Sequence, residues 1–215
     1  MRVSKKVKEY IEKNVFPEYS KNESGHGIDH IHYVIDRSFE LVKENKLDVN
    51  PDMVYVIAAY HDIGHHIDSK NHEKISAEMM LNDSHLSQFF SPEELSIIHD
   101  AIEDHRASSD KDPRSIYGKI VSSADRNITI EDCYYRTYTY GKKLDPSLTD
   151  EELYERAHDV LVKKFGEGGY AKFYFKDFKY EAFLKELRKL LEDKEHFISL
   201  QREYIENLKN KNLLD

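Results

Sequence analysis

Residues 53–66 read MVYVIAAYHDIGHH, an apolar stretch that ends in a dense polar cluster. Seven of the eight residues from Val54 to His61 could be buried, so we expect a helix that is covered on most sides. Asp62 lies at the end of that helix, and a buried carboxylate needs a partner because an unpaired charge is costly to bury. His61 and Asp62 together suit a cation such as Mn, Fe, Zn or Ni. A helix cap that hydrogen-bonds to nearby backbone is the alternative, and a match of two residues does not decide between them.

The composition indicates a helix-rich globular protein. The chain has 215 residues, of which 39% are hydrophobic and 34% charged, with only 8 Gly and 5 Pro. This length fits one domain. The low content of Gly and Pro disfavours β-rich folds. The net charge of -9 argues against binding to polymeric nucleic acid, since such proteins neutralise phosphates with clustered Lys and Arg.

The cysteine content and the N-terminus predict a cytoplasmic protein. Cys133 is the single cysteine and cannot form an internal disulfide. The opening MRVSKKVKEY lacks the apolar run of a secretory signal. No stretch approaches the length needed to span a bilayer, so we expect no membrane association.

Apolar residues at helical spacing predict helices over most of the chain. Asn50 and Pro51 are typical of a helix start, and the central helix is expected to run from there to about Gly64. Capping boxes at Ser91 with Glu94 and at Thr149 with Glu152 predict two further helix starts. One or two long helices are expected from Asp177 to Lys209. Loops are predicted at residues 20–30, 106–115 and 165–175, the last of them a candidate lid.

Four residues with metal-binding side chains fall on or beside the apolar faces of predicted helices. They are His30, His61, Asp62 and Asp125, and they belong to three different helices. If those helices converge, two imidazoles and two carboxylates would meet. Such a set can hold a divalent ion and leave coordination positions open for water and substrate. A bound water whose pKa is lowered toward neutrality becomes a nucleophile.

Three segments in this order, GHGIDHIHYV, YHDIGHH and SSADR, resemble the metal-binding segments of the HD-domain superfamily of metal-dependent phosphohydrolases. The resemblance covers about residues 25–130. It implies an all-α fold built on an HD-domain-like helical bundle, which we expect to carry additional C-terminal helices over about 131–215 within a single domain of residues 1–215. It also implies that His30, His61, Asp62 and Asp125 are the metal ligands. The implied cofactor is a divalent cation, with Mn, Fe, Mg, Zn and Ni left open.

The sequence departs from the family pattern at several positions. The first motif is often His-x-x-Arg-Val, and Tyr33 stands in the place of that Arg. One subgroup carries Lys after the Gly of HDIG, where this chain has His65, so proton transfer would fall to an imidazole. Candidates for completing a second metal site, as in binuclear members, are His72, His99 and His105; the sequence favours one metal.

Four residues are candidates for general acid or base, because each could lie near a bound water or leaving group: His65, His66, Glu73 and His105. Surface residues hydrogen-bonded to water are the alternative reading of the first three. For His105 the alternative is a core histidine whose polar atoms are hydrogen-bonded within the protein. His26, which has Gly on both sides, is expected in a mobile loop at the mouth of the cavity.

Four cations are candidates for binding the substrate. Arg106 follows His105 and Arg126 follows Asp125, so both could pair with phosphate through a planar fork. Arg136 and Lys142 lie in a tyrosine-rich run that could stack a nucleobase. Surface salt bridges would explain Arg106 and Arg126 nearly as well as phosphate binding does. Core packing is the alternative role of the tyrosine rings.

The predicted function is that of a metal-dependent phosphohydrolase acting on a small nucleotide or another phosphate ester. A phosphatase, a phosphodiesterase and a nucleotide pyrophosphohydrolase all fit this reading. Two alternatives stay open: an HD-fold protein that binds a nucleotide without turnover, and a metal-dependent oxygenase, which a binuclear iron site would favour. The expected partner is a small phosphorylated molecule, and a homodimer is a further option.

Overall fold

The computed structural model describes residues 2–106, 111–126, 128–169 and 174–214. Within these residues it contains ten α-helices, three short 3-10 helices and no β-strand. The prediction of an all-α fold is therefore confirmed. None of the described helices combines the length and the apolar character needed to cross a membrane.

The helices fall into two compact units, of which one comprises Met1–Arg126 with Phe173–Lys176 and the other Asn127–Lys172 with Asp177–Asp215. The helices of the first unit are α1 (Lys5–Asn14), α2 (Ile28–Glu44), α3 (Pro51–Tyr60), α4 (His72–Leu81), α5 (Pro92–Glu103) and α6 (Ile116–Ala124). Those of the second are α7 (Ile130–Leu144), α8 (Asp150–Phe165), α9 (Phe178–Leu191) and α10 (Lys194–Asn210). That both units make a single domain stays a prediction.

Helix α3 is the centre of the first unit. Every residue from Met53 to Tyr60 is buried, as the apolar stretch predicted. The helix begins as expected, because Pro51 occupies its first turn and the Asn50 side chain accepts a hydrogen bond from the Asp52 amide. Helices α2, α5 and α6 pack around it. The residues that follow α3 therefore emerge into the middle of the unit.

The predicted end of α3 at Gly64 was wrong, since the helix ends at Tyr60 and residues 61–67 form successive turns. In these turns the amides of Ile63 and His65 donate to carbonyls only three residues back, at 3.1 and 3.0 Å. The Gly64 amide instead donates to the Ser76 hydroxyl of α4 at 3.0 Å. Packing against α4 thus stops the helix where periodicity alone would have continued it.

The ends of α2, α4, α5 and α6 position the polar residues of the first unit. His30 lies in the first turn of α2, and His72 is the first residue of α4. His105 follows α5 directly after the C-cap Asp104, while Asp125 is the C-cap of α6. The predicted capping box of Ser91 and Glu94 at the start of α5 is confirmed.

The second unit has its own apolar core, which is rich in aromatic residues such as Tyr154, Phe183 and Phe197. The capping box of Thr149 and Glu152 starts α8, and Gly166 ends that helix, both as predicted. The terminal stretch forms two helices, α9 and α10, and α10 ends at Asn210, just beyond the expected limit of Lys209. Residues 107–110 of the predicted loop at 106–115 and residues 170–173 of the candidate lid lie outside the described residues.

Candidate metal centre

The predicted metal ligands of the first unit lie close together. The Nε2 atom of His30 is 3.1 Å from Asp125 Oδ1 and 3.5 Å from Asp62 Oδ2. The Nε2 atom of His61 is 3.3 Å from His30 Nε2, 3.5 Å from Asp62 Oδ2 and 3.9 Å from Asp125 Oδ1. Three segments that are remote in sequence thus bring together the donor atoms of His30, His61 and Asp125, and Asp62 lies beside the two histidines.

A second group of donor atoms meets the other oxygen of Asp62. Asp62 Oδ1 is 3.3 Å from His72 Nε2 and 3.6 Å from His105 Nε2, and these two nitrogens are 3.1 Å apart. This oxygen is buried, and among the described residues none donates a hydrogen bond to it. Because a buried charged oxygen without a partner is costly, the site is shaped for a further positive group.

The backbone fixes how three of the histidines present their nitrogens. The Nδ1 atoms of His61, His72 and His105 each lie near the carbonyl oxygen three residues earlier, at 2.8, 3.0 and 2.6 Å. A carbonyl oxygen only accepts, so each Nδ1 carries the proton and donates it. Each Nε2 of a neutral ring is then left with a lone pair that faces Asp62. This is the arrangement by which proteins orient histidine ligands toward a metal.

The two carboxylates of the first group attract positive charge. Burial lowers the pKa of His61 to about 4, so that ring is neutral near pH 7. Burial would also lower the pKa of His30, but hydrogen bonds to Asp125 and Asp62 outweigh it and raise that pKa to about 9. Although burial opposes ionisation of both carboxyls, the surrounding imidazoles hold the pKa values of Asp62 and Asp125 below their usual range. Two ionised carboxylates therefore lie inside a largely buried cluster.

The residues present fit a divalent cation. Three overlapping groups each offer ligand atoms within 4.8 Å of one another: His30 with His61 and Asp125, Asp62 with His72 and His105, and His26 with His30 and Asp62. His99 belongs to a different group, with Asp100 and Glu103. Arg114 already pairs with both of those carboxylates, at 3.0 and 2.5 Å. Of the three extra histidines considered from sequence, His72 and His105 thus lie at Asp62, whereas His99 faces Asp100.

The structure adds His26, which sequence reasoning assigned only to a loop at the cavity mouth. Its Nδ1 atom lies 2.7 Å from Asp62 Oδ2, and its ring stacks on that of His65 with centroids 3.8 Å apart. His26 ends a short 3-10 helix, Ser24–His26, just before α2. The close sequence spacing of His26 and His30 was the available signal. Flanking glycines concealed it because they favour a loop.

The four candidate acid or base residues take different positions. His65 is buried beside His26 and His72, and burial together with the nearby His26 lowers its pKa to about 4. His66 is exposed, and its backbone amide donates to the Asn22 side chain at 3.0 Å. Glu73 Oε2 lies 3.8 Å from His72 Nδ1. His105 belongs to the second donor group, and the catalytic roles of all four stay predictions.

Two of the candidate substrate cations lie in each unit. Arg106 donates to the Lys70 carbonyl at 2.6 Å and lies 3.4 Å from Glu73. Arg126 donates through Nε to the Ser122 carbonyl at 3.3 Å, and its guanidinium lies 5.6 Å from the centre of the Tyr174 ring. Two further cations, Arg136 and Lys142, lie on α7 of the second unit, where Lys142 donates to the Leu148 carbonyl at 2.9 Å.

Tyr33, which stands where the family pattern often has Arg, contacts the backbone next to Asp125. Its hydroxyl donates to the backbone carbonyl of Arg126 at 3.1 Å. Tyr33 lies on α2, one turn after His30, so this bond ties the helix of one predicted ligand to the residue that follows another. The departure from the family pattern therefore has a structural use here.

Fold and site together define an all-α protein with a buried histidine and aspartate centre of the metal-binding type. The family model of the HD domain matches residues 27–128, which include His30, His61, Asp62 and Asp125. The resemblance is thereby confirmed: the chain carries an HD domain over residues 27–128.

Among solved structures, the chain is similar to the crystal structure of a predicted HD superfamily hydrolase from an uncultured Thermotogales bacterium. The two share 21% sequence identity over 73% of this chain and 87% of that chain, with a TM-score of 0.47. No curated protein matches the chain.

Proposed function

We propose that this protein is a metal-dependent phosphohydrolase that acts on a small phosphate ester. The observation that carries the proposal is the division of the Asp62 carboxylate: one oxygen faces His30 and His61, and the other faces His72 and His105. A carboxylate that bridges two groups of imidazole nitrogens is suited to hold divalent ions side by side. Two-metal sites of this kind serve phosphoryl displacement.

In this proposal His30, His61, Asp62 and Asp125 hold the first ion. The sequence favoured one metal, but the unpartnered Asp62 Oδ1 and the Nε2 atoms of His72 and His105 supply donors for a second position. When bound, a divalent cation would supply a water of lowered pKa and neutralise charge on a phosphoryl oxygen. Ligands of mixed nitrogen and oxygen type leave Mn, Fe, Zn and Ni as the candidates that fit best.

The remaining residues of the site would bind and orient the substrate. His65 is neutral near pH 7 and lies beside His26 and His72, where it could accept a proton from an attacking water or another reacting group. Glu73 and His66 are the further candidates for this task. Arg106 and Arg126 would pair with phosphate oxygens, which their planar guanidinium groups match. A nucleotide is one substrate of this class, and Arg136 and Lys142 stay candidates for contacting it.

The test combines metal analysis with a substrate screen. Protein purified without added ions is analysed for bound metal and then assayed with that metal against phosphomonoesters, phosphodiesters and nucleotides. We expect bound metal and release of phosphate or pyrophosphate, and we expect His61→Ala and Asp62→Ala to lose both. His85→Ala is the matched control, because His85 is an exposed histidine that stacks on Tyr10 away from these donors. Full hydrolysis by either site variant would refute the proposal.

A second candidate function, an oxygenase, is favoured by the same pair of adjacent metal positions. A binuclear iron centre would suit O₂ chemistry, so purified protein that contains iron is also to be assayed for O₂ consumption. A finding of one non-redox ion counts against this candidate. Binding of nucleotides without any turnover in the screen would instead favour a ligand-binding protein. The cytoplasmic location and the homodimer stay predictions.

A further inference from the structure

We propose that Asn22 is a positioning residue that holds Asp62 in place for metal binding. Its side-chain amide nitrogen donates to the backbone carbonyls of Asp62 and His26, both at 2.9 Å. Its side-chain oxygen accepts from the backbone amide of His66 at 3.0 Å, and the Nδ1 atom of His66 lies 3.1 Å away. One half-buried amide thus contacts both segments that surround the Asp62 carboxylate.

The first effect of these bonds is on the turns after α3. Residues 61–67 form turns with local hydrogen bonds, and bonds to other segments hold these turns further. The Gly64 amide is held by Ser76, while the Asp62 carbonyl and the His66 amide are held by Asn22. Asn22 therefore fixes the backbone on both sides of Gly64. The direction of the Asp62 side chain follows from that backbone.

The second effect is on His26. Asn22 fixes the carbonyl of His26, whose ring nitrogen Nδ1 lies 2.7 Å from Asp62 Oδ2. The same Asp62 oxygen faces His30 and His61. A polar group that orients a ligating carboxylate in this way supports metal binding without touching the ion, and loss of such a group costs about 10- to 100-fold in affinity or activity. Asn22 thus acts on Asp62 in two ways, through the backbone of residues 61–67 and through His26.

Asn45 offers a matched control in the same unit. Its amide nitrogen also donates to two backbone carbonyls, those of Leu41 at 3.0 Å and Lys176 at 2.9 Å, and its oxygen accepts from the Lys176 amide at 3.1 Å. It is the C-cap of α2, at the opposite end of the helix from His30 and about 20 Å along its axis. Substitution of Asn45 therefore removes the same kinds of hydrogen bond far from the candidate centre.

The experiment compares Asn22→Ala, Asn22→Asp and Asn45→Ala with the unaltered chain. Each protein is stripped with a chelator and titrated with Mn²⁺ by calorimetry, and its thermal midpoint is recorded. We expect all three substitutions to lower the midpoint, but only those at Asn22 to raise the Kd for Mn²⁺, by about 10-fold. Asn22→Asp keeps the size of the side chain and the acceptor for His66, but it cannot donate to the two carbonyls. It should therefore bind Mn²⁺ as poorly as Asn22→Ala.

Equal Mn²⁺ affinity in the unaltered chain and the Asn22 variants would overturn the inference. An equal loss of affinity in Asn45→Ala would overturn it as well, because the effect would then be one of general stability. If Asn22→Ala does not fold, the comparison of Asn22→Asp with Asn45→Ala decides the matter. The inference rests on the proposed metal centre: an unaltered chain that binds no Mn²⁺ overturns both, whereas one that binds Mn²⁺ but hydrolyses no phosphate ester overturns only the proposed function.

Discussion

The Nε2 atom of His72 lies 3.3 Å from the Oδ1 atom of Asp62, a buried oxygen that accepts no hydrogen bond from the described residues. His72 is the first residue of α4, while Asp62 lies in the turns that follow α3. The start of one helix thus places a nitrogen lone pair next to a carboxylate beyond the end of another. His105 completes this group from the end of α5.

This relationship predicts the effect of His72→Ala on metal content. The substitution should remove the ion at the second position and leave the first, because His30, His61 and Asp125 are unchanged. Metal analysis after dialysis against a defined metal buffer measures the number of ions per chain. His99→Ala is the control, since His99 is a half-buried histidine that faces Asp100. Unchanged metal content in His72→Ala would mean that the second position is not used.

A side chain added at Gly64 should disturb the packing of the turns after α3 against α4. A Cβ atom at this position would lie 2.6 Å from Ile75 Cγ2 and 3.0 Å from the Ser76 backbone nitrogen, so the Ile75 side chain would have to shift and the backbone of α4 would have to give slightly. We expect Gly64→Ala to lower the free energy of unfolding by about 1–3 kcal/mol, as overpacking of a core does. Because His72 lies on α4, metal binding at the second position should weaken as well.

Chemical denaturation and metal analysis test this prediction. Gly25→Ala is the control, because a Cβ atom there would meet nothing within 4 Å. Its free energy of unfolding should change by no more than about 0.5 kcal/mol. Equal stability of the two variants would contradict the prediction, since the close contact with α4 would then be harmless.

The Cys133 thiol should react slowly with thiol reagents while the second unit is folded. The side chain is buried, and burial raises the pKa of its thiol to about 12. Little thiolate is therefore present at pH 8, and a thiol reagent should react much faster after denaturation than before it. Labelling of the native protein at the rate of the denatured protein would contradict this placement.

The same pKa shift predicts how stability depends on pH. The thiol ionises near its ordinary pKa of 9.0 when unfolded but near 12 when folded, so the unfolded chain loses its proton first. The contribution of Cys133 to stability is full below pH 9.0 and falls as the pH rises from there toward 12. The free energy of unfolding is measured against pH over this range for the unaltered chain and for Cys133→Ala. The two plots should differ in slope. Parallel curves would contradict the shift.

Local signals predicted the helix starts well. Asn50 with Pro51 and the capping boxes at Ser91 and Thr149 lie where the sequence indicated, because capping depends on residues within one turn of each other. The end of α3 was predicted too late, at Gly64. That end depends on Ser76 and Ile75 of α4, which no local pattern around Gly64 reveals.

The sequence by itself determined the helical class, the buried character of α3 and the family to which residues 27–128 belong, since periodicity and motif order are properties of neighbouring residues. Only the tertiary structure decided which histidines meet Asp62, how its two oxygens are divided and that Asn22 and His26 support it. These contacts join segments that are remote in the chain. Their geometry depends on how the helices pack, which no pattern of neighbouring residues specifies.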